Sequence, residues 1–181
     1  MPRATRTPPE RWIEECLRTV ASTGEAGVSV ERLAATLGVT KGSFYHHFAD
    51  RSDLLQRSLE HWQRLATDVV IEELEQVDDP AERLRAVLAV AFGDDEWGTI
   101  DVMLAVSADP TVLAVASAVA ERRIAFMADA YRQLGVPDPD AERRAAIAYS
   151  TYLGHFHVAA ARPDLTADAD YFDLLVATLL P

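Results

Sequence analysis

Apolar residues recur at helical spacing from the start of the chain. Trp12, Ile13, Cys16, Leu17, Val20 and Ala21 share one face of a helix that begins after Pro8 and Pro9 and stops at Gly24 and Gly27. A shorter run puts Leu33, Ala34 and Leu37 on one side, and Ser29 stands where an N-cap hydroxyl would accept a free amide of the first turn. Gly38 follows, suited to a helix end that needs positive φ. Thr40 is placed to cap a third helix whose Phe44 and Phe48 face inward, leaving Tyr45, His46 and the polar residues before them outside. A long fourth helix opens at Asp50 or Ser52, carries the stripe Leu55, Leu59, Trp62, Ala66, Val69 and Val70, and ends at Asp78-Asp79-Pro80.

Beyond Pro80 the pattern predicts helices over roughly 81–92, 99–107, 111–134, 140–161 and 168–180. Breaks fall at Gly93 to Gly98, at Asp109-Pro110, at Gly135 to Pro139 and at Arg162-Pro163-Asp164. No stretch alternates with period two between turn signals, so the expected class is all-α. The last two helices are apolar on more than one side, through Tyr149, Tyr152, Leu153, Phe156 and Val158 and then Tyr171, Phe172, Leu175, Val176 and Leu179. That breadth predicts burial on two sides, with small residues such as Gly154 allowing close helix approach. A dimer interface and a central helix of a monomeric core both satisfy it.

Composition narrows the class. The chain has 181 residues, enough for one large core or a small domain joined to a larger one. Its single cysteine, Cys16, lies on the apolar stripe of the first helix and reads as a buried thiol. No apolar run approaches the ~18 residues of a membrane span, and no apolar segment follows Arg3 and Arg6 as a signal sequence would require, so a cytoplasmic protein is expected. A formal charge of -12 is unusual for a nucleic-acid binder. It is unevenly distributed: the residues through Arg51 carry +1, and the remainder -13. Such asymmetry points to a nucleic-acid end and a non-binding end.

The segment Gly38-Val39-Thr40-Lys41-Gly42-Ser43-Phe44-Tyr45-His46-His47-Phe48 reads as the turn and second helix of a helix-turn-helix. It holds Lys41, the one lysine of the sequence. In such motifs the second helix enters the major groove with its N-terminal residues nearest the base edges. Lys41 is then placed to read guanine or to neutralise a phosphate, and Gly42 lets the backbone come close. Thr40 and Ser43 supply hydroxyls for positioning on the phosphate backbone, and Ser29 is placed to serve a phosphate as well as its helix.

From Ser29 to Leu55 the chain resembles the DNA-binding segment of the TetR family of transcriptional regulators. The resemblance rests on Leu37-Gly38-Val39, Thr40-Lys41-Gly42-Ser43, Tyr45, the His47-Phe48 pair, and Arg51 followed by Leu54-Leu55. It implies a helix-turn-helix domain over residues 7–53, with its motif at about 30–49, and a helical ligand-binding and dimerisation domain over 54–181. It also implies a homodimeric, all-α repressor of double-stranded operator DNA, released by a small-molecule effector and joined through the last two helices. Tyr45 would give its phenol to a phosphate, His46 would meet base or sugar, His47 would lie near the backbone or pack on the first helix, and Arg51 would grip phosphate. Arg3 and Arg6 would form either a minor-groove arm or a free tail.

Other chemistry finds little support. His46 and His47 are adjacent, and His155 and His157 are two apart, so neither pair shares a helix face as metal ligands would. No catalytic or cofactor fingerprint is present, and neither enzyme activity nor a cofactor or metal is expected. The acidic Asp94-Asp95-Glu96 lacks the ligand order of a calcium loop and reads as solvated. A ligand cavity is expected between the fourth helix and the middle helices, its candidate residues being Trp62, Trp97, Met103, Phe126, Tyr131, Tyr152 and His155, with Phe92, Met127 and Tyr149 nearby. Each of these also suits plain core packing. The functional expectation is a ligand-responsive repressor; the alternative is a ligand-independent DNA-binding regulator or a scaffold whose C-terminal domain binds a protein partner.

Overall fold

Proline at the first helical position and glycine past the last delimit α1 (Pro9–Thr23), where Gly24 has φ 72°. The computed structural model describes residues 7–93 and 95–181, and among them the chain is helical without strands. Arg3, Arg6 and Asp94 lie outside the described residues. The α1 face of Trp12, Ile13, Cys16, Leu17 and Val20 is buried as its spacing predicts. Burial pushes the Cys16 thiol up to about 11, against a hydrogen bond with Ser58 and the charge of Arg51.

A 3₁₀ turn at Glu25–Gly27 leads to α2 (Val30–Thr36), whose N-cap Ser29 accepts from the Arg32 amide at 3.5 Å. Gly38, at φ 69°, turns the chain into α3 (Lys41–Phe44). This helix is shorter than the pattern predicts, and Thr40 makes no side-chain capping bond. With Gly42 and Ser43 inside it and His46 and His47 after it, α3 has weak intrinsic helix preference. Tertiary contacts fix it instead: Phe44 meets Trp12 edge-on at 5.4 Å and stacks on Phe48 at 5.2 Å, all three rings being buried.

Asp50 caps α4 (Arg51–Gln63) through the Asp53 amide at 2.9 Å. The predicted long helix is not uniform. A π-helical turn at Arg64–Asp68 interrupts it before α5 (Val69–Leu74), and the helix ends short of Asp78-Asp79-Pro80. Asp79 instead caps α6 (Pro80–Gly93) by accepting from the Ala81 amide at 2.8 Å. The expected break at Gly93 to Gly98 is also shorter, because α7 (Asp95–Ala105) already contains Trp97 and Gly98. After it come α8 (Pro110–Gln133) and α9 (Asp140–Ala161), then a short α10 (Pro163–Thr166) absent from the sequence reading, and α11 (Ala169–Leu179).

The apolar interior does not part at residue 53. One core takes residues of α1 to α4 together with Ile100 and Leu104 of α7 and Val112, Ala116 and Val119 of α8. A second joins Leu84 and Leu88 of α6 to Met127 and Tyr131 of α8, Ala141 and Ala145 of α9, and Leu175 and Leu179 of α11. The head is thus packed on the helices that frame the rest of the chain.

Within the chain, close helix approach uses Gly98 rather than Gly154. A Cβ on Gly98 would lie 2.0 Å from the Phe156 ring, whereas one on Gly154 would meet nothing within 4 Å. Alanine is the better helix former, yet Gly98→Ala must displace a buried ring. We expect it to lower unfolding free energy by about 1–3 kcal/mol in urea titrations, the scale of overpacking a core.

Candidate functional site

The donors expected on the second helix of the motif are presented on one outward surface. Thr40, Lys41, Gly42, Tyr45 and His46 are exposed, with Tyr45 at 56 %, while Ser43 and His47 are half-buried. Phe44 and Phe48 hold this surface from beneath, and the Arg57 guanidinium sits 4.7 Å above the Phe48 ring while donating to the His47 carbonyl at 2.9 Å. The His47 Nε2 is buried without a hydrogen-bond partner among the described residues.

Lys41 is not a free cation. Its Nζ donates to Glu31 of α2, and Ser29 donates to the same carboxylate at 3.2 Å. The Lys41 hydrogen bond, with help from backbone and Ser29, holds the Glu31 carboxyl down to about 2, so the carboxylate stays charged at neutral pH. Arg51 makes two contacts within the head. Its Nε donates to the Val28 carbonyl at 2.9 Å and its Nη2 to the Glu25 carbonyl. Together with Arg32, which donates to the Gly27 carbonyl at 2.6 Å, it fixes the 3₁₀ turn against the start of α4. The half-buried guanidinium therefore acts as a lock on the head, a role beside the phosphate contact expected of Arg51.

A cavity of about 160 Å³ lies between the π-helical turn with α5, α6, Trp97 of α7, α8 and α9. Of the candidates named from sequence, Trp97, Phe126 and Tyr152 line it. Trp62 instead borders a smaller cavity of about 110 Å³ beside Asp101. Three candidates line neither. The Met103 methyl lies against Gly24, and Tyr131 is buried in the second core with its hydroxyl donating to the Leu179 carbonyl at 2.6 Å. His155 is buried behind the cavity wall, its Nδ1 3.0 Å from the Tyr171 hydroxyl and its ring against Phe92. Aromatic content pointed to these residues; which face of the helix each occupies decided the outcome.

The polar centre of the cavity was missed. Arg123 donates from Nη1 to Asp101 at 2.7 Å, from Nε to the Thr67 hydroxyl at 2.9 Å and from Nη2 to the Ala66 carbonyl at 3.0 Å. Tyr152 donates its hydroxyl to the same Asp101 carboxylate. Burial pushes Asp101 upward and would pull Arg123 down; each is the chief charge opposing that effect on the other, and Arg123 is held above its ordinary value. A lone acid inside Ile100-Asp101-Val102-Met103-Leu104 was the available sequence signal. Among the described residues no group of three or more His, Cys, Asp or Glu gathers as a metal site.

Comparison with known proteins agrees with this arrangement. Residues 14–57 match the family described as bacterial regulatory proteins, tetR family. Among curated proteins, the HTH-type transcriptional regulator BetI of Brucella abortus is 30% identical over 100 residues, which cover 54% of this chain and 50% of that protein. The chain spans about half the length of the curated relatives it matches. A transcriptional regulator from Rhodococcus sp. superposes with a TM-score of 0.75 at 22% identity, over 96% of this chain and 94% of that one. A regulator from Saccharomonospora viridis solved in complex with choline gives 0.75 at 20% identity, over 94% and 92%. These likenesses show the fold, and the family match and relatives are regulators of transcription rather than enzymes.

The three side chains separate in experiment. Lys41→Ala and Tyr45→Phe should weaken DNA binding in gel shifts while changing stability by no more than about 0.5–1 kcal/mol, as exposed positions do. Arg51→Ala should instead cost about 1–3 kcal/mol in thermal or urea unfolding, because two carbonyls of the turn lose their donor.

Proposed function

We propose, for a chain whose residues 14–57 belong to the TetR family of bacterial regulators, a ligand-responsive repressor that binds operator DNA as a homodimer and is released by a small molecule. The observation that carries this reading is continuity. The helix that begins beneath the DNA-facing surface at Arg51 runs through α4 into the π-helical turn, and Leu65, Ala66 and Thr67 of that turn are walls of the cavity. A molecule in the cavity presses on the same helix that supports the head. A ligand that prefers an arrangement unsuited to DNA shifts the population toward it and frees the operator.

In this reading Lys41 and Gly42 face the groove, and Thr40, Ser43, Tyr45, His46, His47 and Ser29 meet the sugar-phosphate backbone or flanking bases. Homodimer formation is supported by apolar surface left uncovered on the last helices. Ile147 and Val158 of α9 and Leu174 of α11 are 59 %, 41 % and 68 % exposed, and Gly154 lies on the same uncovered side of α9. No helix among the described residues is long and apolar enough to cross a membrane.

Gel shifts with the DNA flanking the gene of this protein test the reading. Specific retardation that a small molecule abolishes is expected; retardation that none of a broad ligand panel alters would favour the ligand-independent regulator or scaffold. Leu174→Asp should convert the dimer to monomer in analytical ultracentrifugation, keep its helical circular dichroism and reduce operator affinity at least tenfold. A variant that stays dimeric would place the interface elsewhere.

A further inference from the structure

We infer that the cavity beside the π-helical turn takes a neutral, largely apolar molecule of about one ring, held by a single hydrogen-bond acceptor. This rests on the ligand-responsive reading above and names the chemistry of its effector.

Size sets the first limit. The cavity measures about 160 Å³, and an apolar cavity of about 150 Å³ is enough to admit benzene. Its walls include Ile71, Leu74, Leu88, Phe92, Phe126 and Met127, aliphatic and aromatic groups that suit the faces and edges of a ring.

Charge sets the second limit. Arg123 is the cation that lines the cavity, and its three nitrogens are each committed, to Asp101, Thr67 and the Ala66 carbonyl. Asp101 is 3 % exposed and also accepts from Tyr152, so the pair is internally neutral and closed on itself. An anionic ligand would have to share Arg123 with Asp101, setting a second buried negative charge beside the first. A cationic ligand would face the guanidinium, with the carboxylate already bonded by Arg123 and Tyr152. Either sign is disfavoured, and a neutral molecule leaves the pair intact.

The third limit is the polar handle. Tyr149 lines the cavity with its ring 5.9 Å from that of Tyr152, and it brings a phenol hydroxyl to an otherwise largely apolar wall. A phenol has one proton to donate, so Tyr149 can hold one acceptor on the ligand. A ketone, ester, amide or ether oxygen on a ring meets that requirement.

Titration calorimetry of the full chain with acetophenone, benzoate and benzylamine compares three molecules of one shape and three charges. Acetophenone should bind at least tenfold more tightly than either ion. Tyr149→Phe should weaken it about tenfold, and Ala91→Phe, which fills the cavity, should abolish binding while helical circular dichroism and operator binding persist. Should Ala91→Phe lose helix, Val87→Phe on the same wall repeats the blocking test. Absent acetophenone binding, tighter binding of either ion, or acetophenone binding untouched by a filled cavity overturns the inference. The regulatory reading fails separately: acetophenone bound in the cavity with the operator complex undisturbed, whatever the ligand panel, would leave the chemistry of the site standing and remove its role as a switch. Release of operator by a charged compound, without acetophenone binding, would do the reverse.

Discussion

Four elements meet at one guanidinium. Arg123 of α8 reaches Asp101 of α7, the Thr67 hydroxyl and the Ala66 carbonyl of the π-helical turn that joins α4 to α5, and through Asp101 it is tied to Tyr152 of α9. Such a pair adds little net stability over a well-packed apolar pair, because desolvating both charges is costly. Its effect is conditional: with the partners in place, removing one leaves an unpaired charge in the interior, at a cost of about 3–5 kcal/mol. The geometry of the middle of the molecule is therefore pinned to the arrangement that keeps Arg123 satisfied.

The π-helical turn follows from the same constraint. A wide turn inserts a residue into the helical repeat and turns a carbonyl outward, and here the Ala66 carbonyl and Thr67 hydroxyl lie where Arg123 needs acceptors. Leu65, Ala66 and Thr67 of the same turn stand in the cavity wall. Cavity shape and the path of α4 are thus one variable. At its other end α4 is locked by Arg51 to the carbonyls of Val28 and Glu25, so displacement at the turn has little slack to absorb it before the head moves. In the proposed function this stiffness is what a ligand exploits.

Legibility in the sequence followed the range of the interactions. Helices whose limits depend on proline, glycine and one apolar stripe, such as α1, α8 and α9, lie within a residue or two of their predicted places. The outward display of Lys41, Gly42 and Tyr45 was readable because Phe44 and Phe48 mark the inward face. What escaped was decided by contacts across many positions in the chain. Arg51 looks like a surface cation until the carbonyls 23 and 26 residues away are in view, and the π-helical turn meets its side-chain partner Arg123 only 56 residues on from Thr67. Met103, Tyr131 and His155 line neither of the two cavities for a similar reason: composition names an aromatic or sulfur group, and only the packing of neighbouring helices says which side it faces.

The acidity of the chain now has a sharper meaning. The head carries so little net positive charge that general attraction to phosphate is weak, and its sole lysine is held by Glu31 across the surface that the proposed function gives to DNA. In that function, phosphate or a guanine edge must compete with that carboxylate for Lys41. An exposed ion pair is screened by water and worth little, so a correctly placed acceptor can win the exchange. A misplaced one gains nothing and leaves Glu31 as a negative charge near DNA. In the proposed function, pairing Lys41 would therefore lower affinity for DNA in general more than affinity for DNA in register, and a weakly basic head would become a means of discrimination. Two such heads held at a set spacing would compound the effect, because each half-site must satisfy the exchange at the same time.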